Sequence, residues 1–536
     1  MATAAPAPAR AVHAKLNQRP GKIGMLIFAI ALVVGLTYVG SQLVGDLSTV
    51  HNASVYPFVL LGVALFVALG FEFVNGFHDT ANAVATVIYT HSLDPHIAVV
   101  WSGVWNFIGV LTSSGLVAFS IITLLPVELI LQVGSGAGFS MVFALLTAAI
   151  IWNLGTWYLG LPSSSTHTMV GSIIGVGIAN QLMHVGSGTS GVDWAQAAGV
   201  GRILLVSPII GFVCAGLLLI VMRTFIKNPE LYEAPVGEAP PPFWIRCLLI
   251  LTCTGVSFSH GSNDGQKGMG LIMLILIGTV PTAYALNHAI TSSQTADYVA
   301  VSRQTSDVLQ KYVRKDVSAP AAAGDARTAI TDYIRTREFT PAAMLGIERI
   351  VNDLANEAET YRLLKAVPPK DIPNFRNNMY LVSEGLRLMK KSNTPAIAAA
   401  DWVVLDNYKK HIDNITKFIP PWVKVAVALA LGLGTMIGWK RIVVTVGEKI
   451  GKTHLTYAQG AAAEITAMVT IWAGDNLGMP VSTTHVLSSG VAGTMAANHS
   501  GIEWSTVRNL AMAWVLTLPA SIILAASLFW LFNLIG

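Results

Sequence analysis

Long apolar stretches separated by short polar connections make up most of the chain, and charged residues concentrate in one central region. Crossing a bilayer as an α-helix takes about 20 consecutive apolar residues. Stretches of this kind occur at 23–44, 57–75, 97–119, 139–159, 202–222, 244–263, 268–287, 420–439, 455–473 and 507–535. Two shorter stretches, 168–183 and 485–497, are typical of re-entrant or broken helices. The pattern predicts an all-α integral membrane protein with about 10–12 transmembrane helices and two re-entrant hairpins.

The charge content supports this prediction. Only 12% of the 536 residues are charged, whereas soluble proteins carry about 25%. Residues 288–417 contain 18 of the 33 basic and 15 of the 29 acidic residues, so this segment is expected to be a soluble insert. No run of five basic residues occurs, so nucleic acid is not an expected partner, whereas membrane lipid is.

Two motifs each occur twice, in the same order. Asn75–Ala83 (NGFHDTANA) and His260–Gly268 (HGSNDGQKG) share Gly and Asp in the same register. Leu161–His167 (LPSSSTH) and Met479–His485 (MPVSTTH) form the second pair. The offsets are 185 and 318 residues, and their difference of 133 residues is close to the length of the insert. The chain is therefore predicted to consist of two repeats, the second of which is interrupted by the insert.

These features divide the chain into four parts. They are an N-terminal tail at 1–22, a first transmembrane repeat with its first helix at 23–222, a second repeat at 244–287 and 420–536, and the insert at 288–417. The tail has basic but no acidic residues, and the apolar run after it is longer than a signal-peptide core, so we expect an uncleaved helix and a cytoplasmic N-terminus. Basic residues at 223–227 and 440–454 also mark the cytoplasmic side, which puts the insert on the outer side.

Each Ser/Thr motif places a proline and several hydroxyl residues directly before an apolar helix. Proline suits the first helical turn, and the hydroxyls cap it. The free backbone N–H groups and the positive end of the helix dipole then form an anion site, for which phosphate is a natural ligand. Two such helix starts, facing each other across a repeat axis, would enclose an oxyanion from both sides.

The aspartates of the Gly-Asp motifs, expected in one turn per repeat, conflict with a bare anion site. A carboxylate close to phosphate repels it strongly in a low dielectric. Asp79 and Asp264 therefore predict a bound cation, which is Na⁺, a proton or a divalent metal that travels with the anion. Asn82 and Asn263 offer amide oxygens that suit the shell of a hard cation. Two roles are equally consistent with Lys267, namely a counter-ion for Asp264 and a direct contact to the substrate.

Together the four motifs closely resemble those of the inorganic phosphate transporter (PiT) family, and in particular its PitA-type bacterial low-affinity permeases. The resemblance covers nearly all of 57–290 and 420–535. It implies an inverted-repeat secondary transporter in the bacterial inner membrane, with phosphate held by the hairpin tips. By the same resemblance, the residues that meet phosphate are Ser164, Ser165, Thr166, Ser482, Thr483 and Thr484, while Asp79, Asn82, Asn263 and Asp264 complete the site or its cation shell.

Two departures from the family pattern concern the coupling ion. His78 stands where the family has Asn, and Asn106 stands where the family has a glutamate whose second-half counterpart is read as Glu464. Imidazole is a poor ligand for Na⁺ but titrates near neutral pH. His78 and Glu464 are therefore the candidate proton carriers. The expected function is a phosphate symporter that is proton-coupled and moves phosphate as a complex with Mg²⁺, Zn²⁺ or another divalent ion, Asp79 and Asp264 being the metal ligands.

Two alternatives remain, a Na⁺-coupled phosphate symporter and a sulfate permease of the same superfamily. Sulfate has no proton to donate at pH 7, so a pocket with carboxylate acceptors favours phosphate. An enzyme is not expected, because no Gly-x-Ser-x-Gly or His-Glu-x-x-His motif occurs and Val446 disrupts the one P-loop-like segment. No permanently bound cofactor is expected, and whether the protein forms a homodimer is left open.

Overall fold

The computed structural model of the protein describes residues 16, 21–48, 56–125, 130–131, 136–184, 192–235, 237, 239–313 and 325–535. Most of the predicted tail lies outside these residues. The first half contains α1 (Lys22–Leu47), α2 (Tyr56–Asp79), α3 (Ala81–Tyr89), α4 (Pro95–Thr112), α5 (Leu116–Ile122), α6 (Gly136–Tyr158), α7 (Ser165–Met183) and α8 (Trp194–Phe225). A short 3₁₀ helix, Pro229–Tyr232, follows.

The second half begins before the insert and ends after it. It contains α9 (Phe243–Thr279), α10 (Pro281–Tyr284), α16 (Pro421–Gly434), α17 (Lys440–Glu448), α18 (Tyr457–Asn476), α19 (Thr483–Ala497) and α20 (Trp504–Ile535). The insert contains α11 (Ser292–Val313), α12 (Ala326–Thr336), α13 (Pro341–Tyr361), a 3₁₀ turn (Leu364–Ala366), α14 (Ile372–Ser392) and α15 (Ala399–Thr416). No strand occurs in the described residues apart from one isolated bridge, so the predicted all-α class is confirmed.

Helix starts follow from local sequence. Asp94 accepts a hydrogen bond from the His96 amide, and Pro95 occupies the first helical position of α4. Thr456 and Gln459 form a capping box at the start of α18. These side chains satisfy backbone N–H groups that a helix end leaves without partners.

Seven helical stretches in the described part of the chain are long and apolar enough to cross a membrane. They are α1, α2 with α3, α4, α6, α8, α9 and α20, and the pair α15–α16, bent by 72°, makes an eighth if it is counted as one span. The number is below the ten predicted stretches mainly because α16 is short, because α18 carries polar residues, and because two predicted spans are one helix.

The predicted spans 244–263 and 268–287 join in the continuous 37-residue helix α9. The intervening motif was expected to form a turn, because its polar residues interrupt the apolar pattern. These residues are buried against other helices, so they need no exposed loop, and Gly261 and Gly265 allow α4 to approach closely at Asn106 and Val110. In the first repeat the helix does break, at Thr80, directly after Asp79.

The two repeats exchange their closest packing partners. α7 packs on α20, and α19 packs on α8. A Cβ atom on Gly175 would overlap the Ile522 carbonyl oxygen, and one on Gly493 would overlap that of Phe212. Gly175 and Gly493 are related by the 318-residue offset, so the same close helix contact is made twice.

The insert packs on one end of the membrane helices. Arg337 and Arg387 contact Asp193 just before α8, at 2.8 and 3.5 Å. Its two ends meet, because the backbone N–H of Asn287 donates to the Ile415 carbonyl at 2.8 Å. The basic connections between helices lie at the other end, where Arg246 at the start of α9 donates to the Ser92 carbonyl.

Candidate functional site

Four segments meet in the buried centre of the protein. They are the first tip (161–167) at the start of α7, the second tip (479–485) at the start of α19, the break between α2 and α3, and the middle of α9. Their polar side chains are almost fully inaccessible to solvent. Those that sequence analysis placed here are Asp79, Asn82, Ser164, Ser165, Thr166, Asn263, Asp264, Ser482, Thr483 and Thr484.

The two tips have the same local structure. Ser164 Oγ accepts from the His167 amide at 3.2 Å, and Ser482 Oγ accepts from the His485 amide at 3.3 Å. Both serines are therefore helix caps. Three hydroxyls that follow them, those of Ser165, Thr166 and Thr484, contact other parts of the site.

Asp79 connects the two tips. Its Oδ2 atom accepts from Ser165 Oγ at 2.9 Å, and its Oδ1 atom accepts from Thr484 Oγ1 at 2.7 Å. Ser165 also lies 3.3 Å from Oδ2 of Asp264, so one hydroxyl bridges the aspartates of the two repeats. The aspartates of both repeats and the hydroxyls of both tips therefore lie in one cluster.

Lys267 supplies the charged partner of Asp264. Its Nζ atom lies 2.6 Å from Asp264 Oδ2 and 2.5 Å from Thr166 Oγ1, and the lysine side chain is completely buried. Thr166 in turn donates to the carbonyl of Val481 in the second tip. Lys267 is therefore the counter-ion of Asp264 and also contacts a tip hydroxyl.

The asparagines hold the second tip. Asn82 Nδ2 donates to Thr484 Oγ1 at 3.0 Å, and Asn263 Nδ2 donates to the Met479 carbonyl at 3.2 Å. Their side-chain oxygens have no hydrogen-bond partner in the structure. Both oxygens are therefore free to accept from a ligand or to contact a cation.

His260 is the site residue that the sequence analysis did not select. Its Nε2 atom lies 3.7 Å from Oδ2 of both Asp79 and Asp264, and its Nδ1 atom lies 2.6 Å from Asn106 Oδ1. The repeat offset was the available signal, because it aligns His260 with Asn75 and His78 with Asn263. Each repeat thus has one His and one Asn before its Asp, in exchanged positions.

His78 approaches Asp79 from the other side. Its Nδ1 atom lies 3.4 Å from Asp79 Oδ1, and its Nε2 atom lies 3.3 Å from the hydroxyls of Thr156 and Ser163. Asp79 therefore has an imidazole near each carboxylate oxygen.

Asp79, His260 and Asp264 together offer ligand atoms for a cation. Each offers a ligand atom within 4.8 Å of the others. Asp264 Oδ1 and His260 Nε2 are buried without a hydrogen-bond partner. Carboxylate oxygens with one imidazole nitrogen fit a divalent metal, and the same oxygens can accept a proton.

Glu464 lies outside this cluster. Its carboxylate accepts hydrogen bonds from Thr86 and Thr252. Thr252 is 12 residues before Asp264 on α9, which corresponds to about 18 Å along the helix. Glu464 is therefore a separate buried carboxylate.

The predicted correspondence between Asn106 and Glu464 is wrong. Asn106 lies on α4, whereas Glu464 lies on α18, and the order of helices makes α18 the counterpart of α6. The 318-residue offset pairs Asn106 with Lys424 and Glu464 with Leu146. Asn106 instead holds the ring of His260.

Comparison with known proteins gives consistent matches over most of the chain. The profile of the phosphate transporter family matches residues 75–525. The low-affinity inorganic phosphate transporter PitA of Escherichia coli (strain K12) is 43% identical over 493 residues, covering 88% of this chain and 96% of the relative. PitB of the same organism is 41% identical over 495 residues, covering 89% and 97%. A solved structure titled "The sodium-dependent phosphate transporter" is 18% identical with a TM-score of 0.48, over 89% of this chain and 100% of that chain, a likeness that says nothing about the coupling ion.

Proposed function

The chain belongs to the phosphate transporter family, and from its site we propose that it is a secondary active symporter, which moves phosphate together with a cation. Its relatives are named as transporters, so it is a membrane transporter and not an enzyme. The observation that carries the proposal is that Asp79 accepts a hydrogen bond from each tip. Substrate-binding hydroxyls and an acidic cation site are thereby parts of one buried cluster.

Phosphate would bind between the tips. The starts of α7 and α19 present backbone N–H groups and hydroxyls to the same region, and both features favour an anion. Lys267 adds a positive charge beside Thr166. We infer that the ligands of the phosphate are Ser164, Ser165, Thr166, Ser482, Thr483, Thr484, Asn82 and Asn263.

The charge of the site requires a cation. Asp79, Asp264 and Lys267 sum to −1 when the imidazoles are neutral, and phosphate makes the total more negative. Two like charges 4 Å apart repel each other by about 4 kcal/mol at an effective dielectric constant near 20. The cation is proposed to be a proton at the Asp–His cluster or at Glu464, and a divalent ion such as Mg²⁺ or Zn²⁺, bound by Asp79 and Asp264, travels as part of the cargo.

Two other readings make different predictions. A Na⁺-coupled symporter would use the oxygens of Asp79, Asn82, Asn263 and Asp264 as a hard-cation shell. A sulfate permease would have to place an anion without a proton beside these carboxylates. The imidazoles near both oxygens of Asp79 favour proton coupling.

The orientation is also proposed. Arg223, Lys227, Arg246, Lys440 and Arg441 lie at the end of the bundle opposite the insert, and such residues favour the cytoplasmic side. The start of α1 lines a pocket with His96 and Ile437 at that same end. The N-terminus is therefore cytoplasmic, and the insert faces the outside of the inner membrane.

Uptake by purified protein in liposomes tests this function. Radiolabelled phosphate is expected to accumulate under an imposed inward proton gradient, and this uptake should require Mg²⁺. Unlabelled phosphate should compete with it, whereas sulfate at the same concentration should not. Accumulation should disappear with a protonophore and persist when Na⁺ is replaced by choline. Uptake that needs Na⁺ and resists the protonophore would establish the first alternative, and displacement by sulfate at equal concentration would establish the second.

A further inference from the structure

A groove on the outside of the membrane bundle lies apart from the polar cluster described above. It lies between α8 and α18 and has a volume of about 680 Å³. Its walls are almost entirely aliphatic, with Val206 and Ile210 on one side and Val469 and Leu477 on the other. Exposed apolar residues continue on both sides of it, so the groove opens towards lipid.

The length of the groove suits an acyl chain. On α8 it extends from Arg202 to Leu218, and 16 residues of helix correspond to about 24 Å. The hydrocarbon of a bilayer is about 30 Å thick, so one leaflet provides about 15 Å. A single lipid tail, lying along the helices, fits within this length.

Arg202 gives the groove a charged end. It is the one charged residue among those that line it. Side chains on a helix lean towards its N-terminus, which for α8 is the end nearer the membrane surface. Trp194, two turns earlier and 58% exposed, marks that surface. The guanidinium is therefore directed from the hydrocarbon region towards the level of lipid phosphate groups.

The pseudo-symmetric position lacks this charge. Phe212 and Ile522 make equivalent contacts to Gly493 and Gly175, which defines an offset of 310 residues between α8 and α20. The same offset aligns Arg202 with Met512. The repeat therefore shows that an apolar side chain is sufficient for this part of the helix to pack.

We propose that the groove binds one phospholipid, with an acyl chain between α8 and α18 and its phosphate on the guanidinium of Arg202. Arginine forms paired hydrogen bonds with phosphate oxygens, so the head group is recognised by charge and geometry. A cation that faces hydrocarbon is costly, and a phosphate at this position removes that cost.

The bound lipid would contact the transport site through the second tip. Met479 and Val481 line the groove, and their carbonyls accept hydrogen bonds from Asn263 and Thr166. Loss of the lipid is therefore expected to loosen the second tip and to raise the KM for phosphate. This consequence rests on the proposed function, whereas lipid binding itself does not.

Native mass spectrometry of the detergent-solubilised protein, with added phosphatidylglycerol, tests the lipid site. Arg202→Met, which reproduces the residue of the other repeat, is expected to reduce the retained lipid about ten-fold, as for loss of a hydrogen bond to a charged group. Ala473→Phe, which fills the groove, should also displace it. Leu205→Phe, at a lipid-facing position outside the groove, is the matched control and should retain the lipid.

Three results would overturn the proposal. The first is equal lipid retention by Arg202→Met and the wild type, and the second is equal retention by Ala473→Phe. The third is a dimeric mass that Ala473→Phe converts to a monomer without any loss of lipid, since the groove would then be covered by a second copy of the chain. If the lipid is lost but phosphate uptake is unchanged, the lipid site stands and its connection to the second tip is wrong.

Discussion

The hydroxyl of Ser165 lies 2.9 Å from the carboxylate of Asp79, although the two residues belong to different helices. This contact joins the first tip, which has the features of an anion site, to the residue that demands a cation. An anion that binds at the first tip must share the hydroxyl with Asp79 or replace the carboxylate as its acceptor. Substrate binding and cation binding therefore act on the same hydrogen bond.

Removal of a tip hydroxyl is expected to weaken phosphate binding. Ser165→Ala and Thr484→Ala each remove a donor to a charged group, which is worth roughly 1–3 kcal/mol. The apparent KM for phosphate should rise about five-fold to a hundred-fold in liposome uptake. Ser172→Ala is the matched control, because Ser172 lies on α7 and donates to the Thr168 carbonyl of its own helix. Unchanged KM in both site variants would exclude the tips as the phosphate site.

Neutralisation of either aspartate is expected to abolish the accumulation of phosphate against a gradient. Asp79→Asn and Asp264→Asn keep the size of the side chain and remove the charge that holds the cation. Concentrative uptake should be lost in both variants. Asp79→Asn should still elute normally from a size-exclusion column, whereas Asp264→Asn leaves the Lys267 ammonium unpaired and is therefore compared with the double variant Lys267→Gln/Asp264→Asn. Accumulation against a gradient by either variant would show that its aspartate is structural.

Lys267 and Asp264 are expected to depend on each other for stability. Removing one partner of a buried ion pair leaves an uncompensated charge, which costs about 3–5 kcal/mol. Lys267→Gln should therefore lower the melting temperature, and adding Asp264→Asn should restore part of it without restoring uptake. Lys424→Gln is the control, because the Lys424 ammonium donates to the Ser113 carbonyl. Strictly additive losses in the double variant would contradict this coupling.

Replacement of His78 by the usual family residue is expected to alter the coupling. In His78→Asn the oxygen-bearing side chain replaces an imidazole 3.4 Å from Asp79, so the pH dependence of uptake should move and a Na⁺ response should appear. Initial rates at several pH values, with Na⁺ or choline, measure both. His260→Asn, tested in parallel, shows which of the two imidazoles sets the pH dependence of uptake. If the pH profile is unchanged in both variants, neither imidazole carries the proton, and Glu464 is the next residue to test.

The insert is expected to be dispensable for transport. Its ends are held together by the hydrogen bond between Asn287 and Ile415, so a short flexible linker can replace 291–414 at little entropic cost. The shortened protein should retain phosphate uptake. Asp193 would lose its contacts to Arg337 and Arg387, so full-length Arg337→Gln/Arg387→Gln serves as the control. Loss of uptake in a shortened protein that reaches the membrane would give the insert a role in gating or assembly.

The long apolar stretches were sufficient to predict the all-α fold, and the duplicated motifs identified polar residues that the structure brings together in one buried cluster. The lengths of the apolar stretches predicted two spans where the structure has the single helix α9, because the polar motif at its centre resembles a loop between two helices. Burial of that motif against Asn106 and Val110 keeps the helix continuous, and hydropathy along one chain contains no information about such a neighbour.

The contact of His260 with both aspartates could not be read from spacing alone. It depends on Asn106 of α4, which fixes the ring from a helix 154 residues away in the chain. The repeat offset relates Lys267 to Asn82, but only the folded chain shows that the ammonium also contacts Thr166. Glu464 differs from His260, because the sequence selected it although its carboxylate lies far from the central cluster.

The exchanged packing of α7 on α20 also determines the order in which the protein can reach its final state. Synthesis proceeds from the N-terminus, so α7 is complete more than 300 residues before the ribosome reaches α20. Until then the glycine face of α7 at Gly171 and Gly175 has no helix to cover it. The first tip therefore reaches its final packing only after the last helix has been inserted. A nascent chain that stops before Trp504 lacks α20, which belongs to the second repeat and also covers α7 of the first.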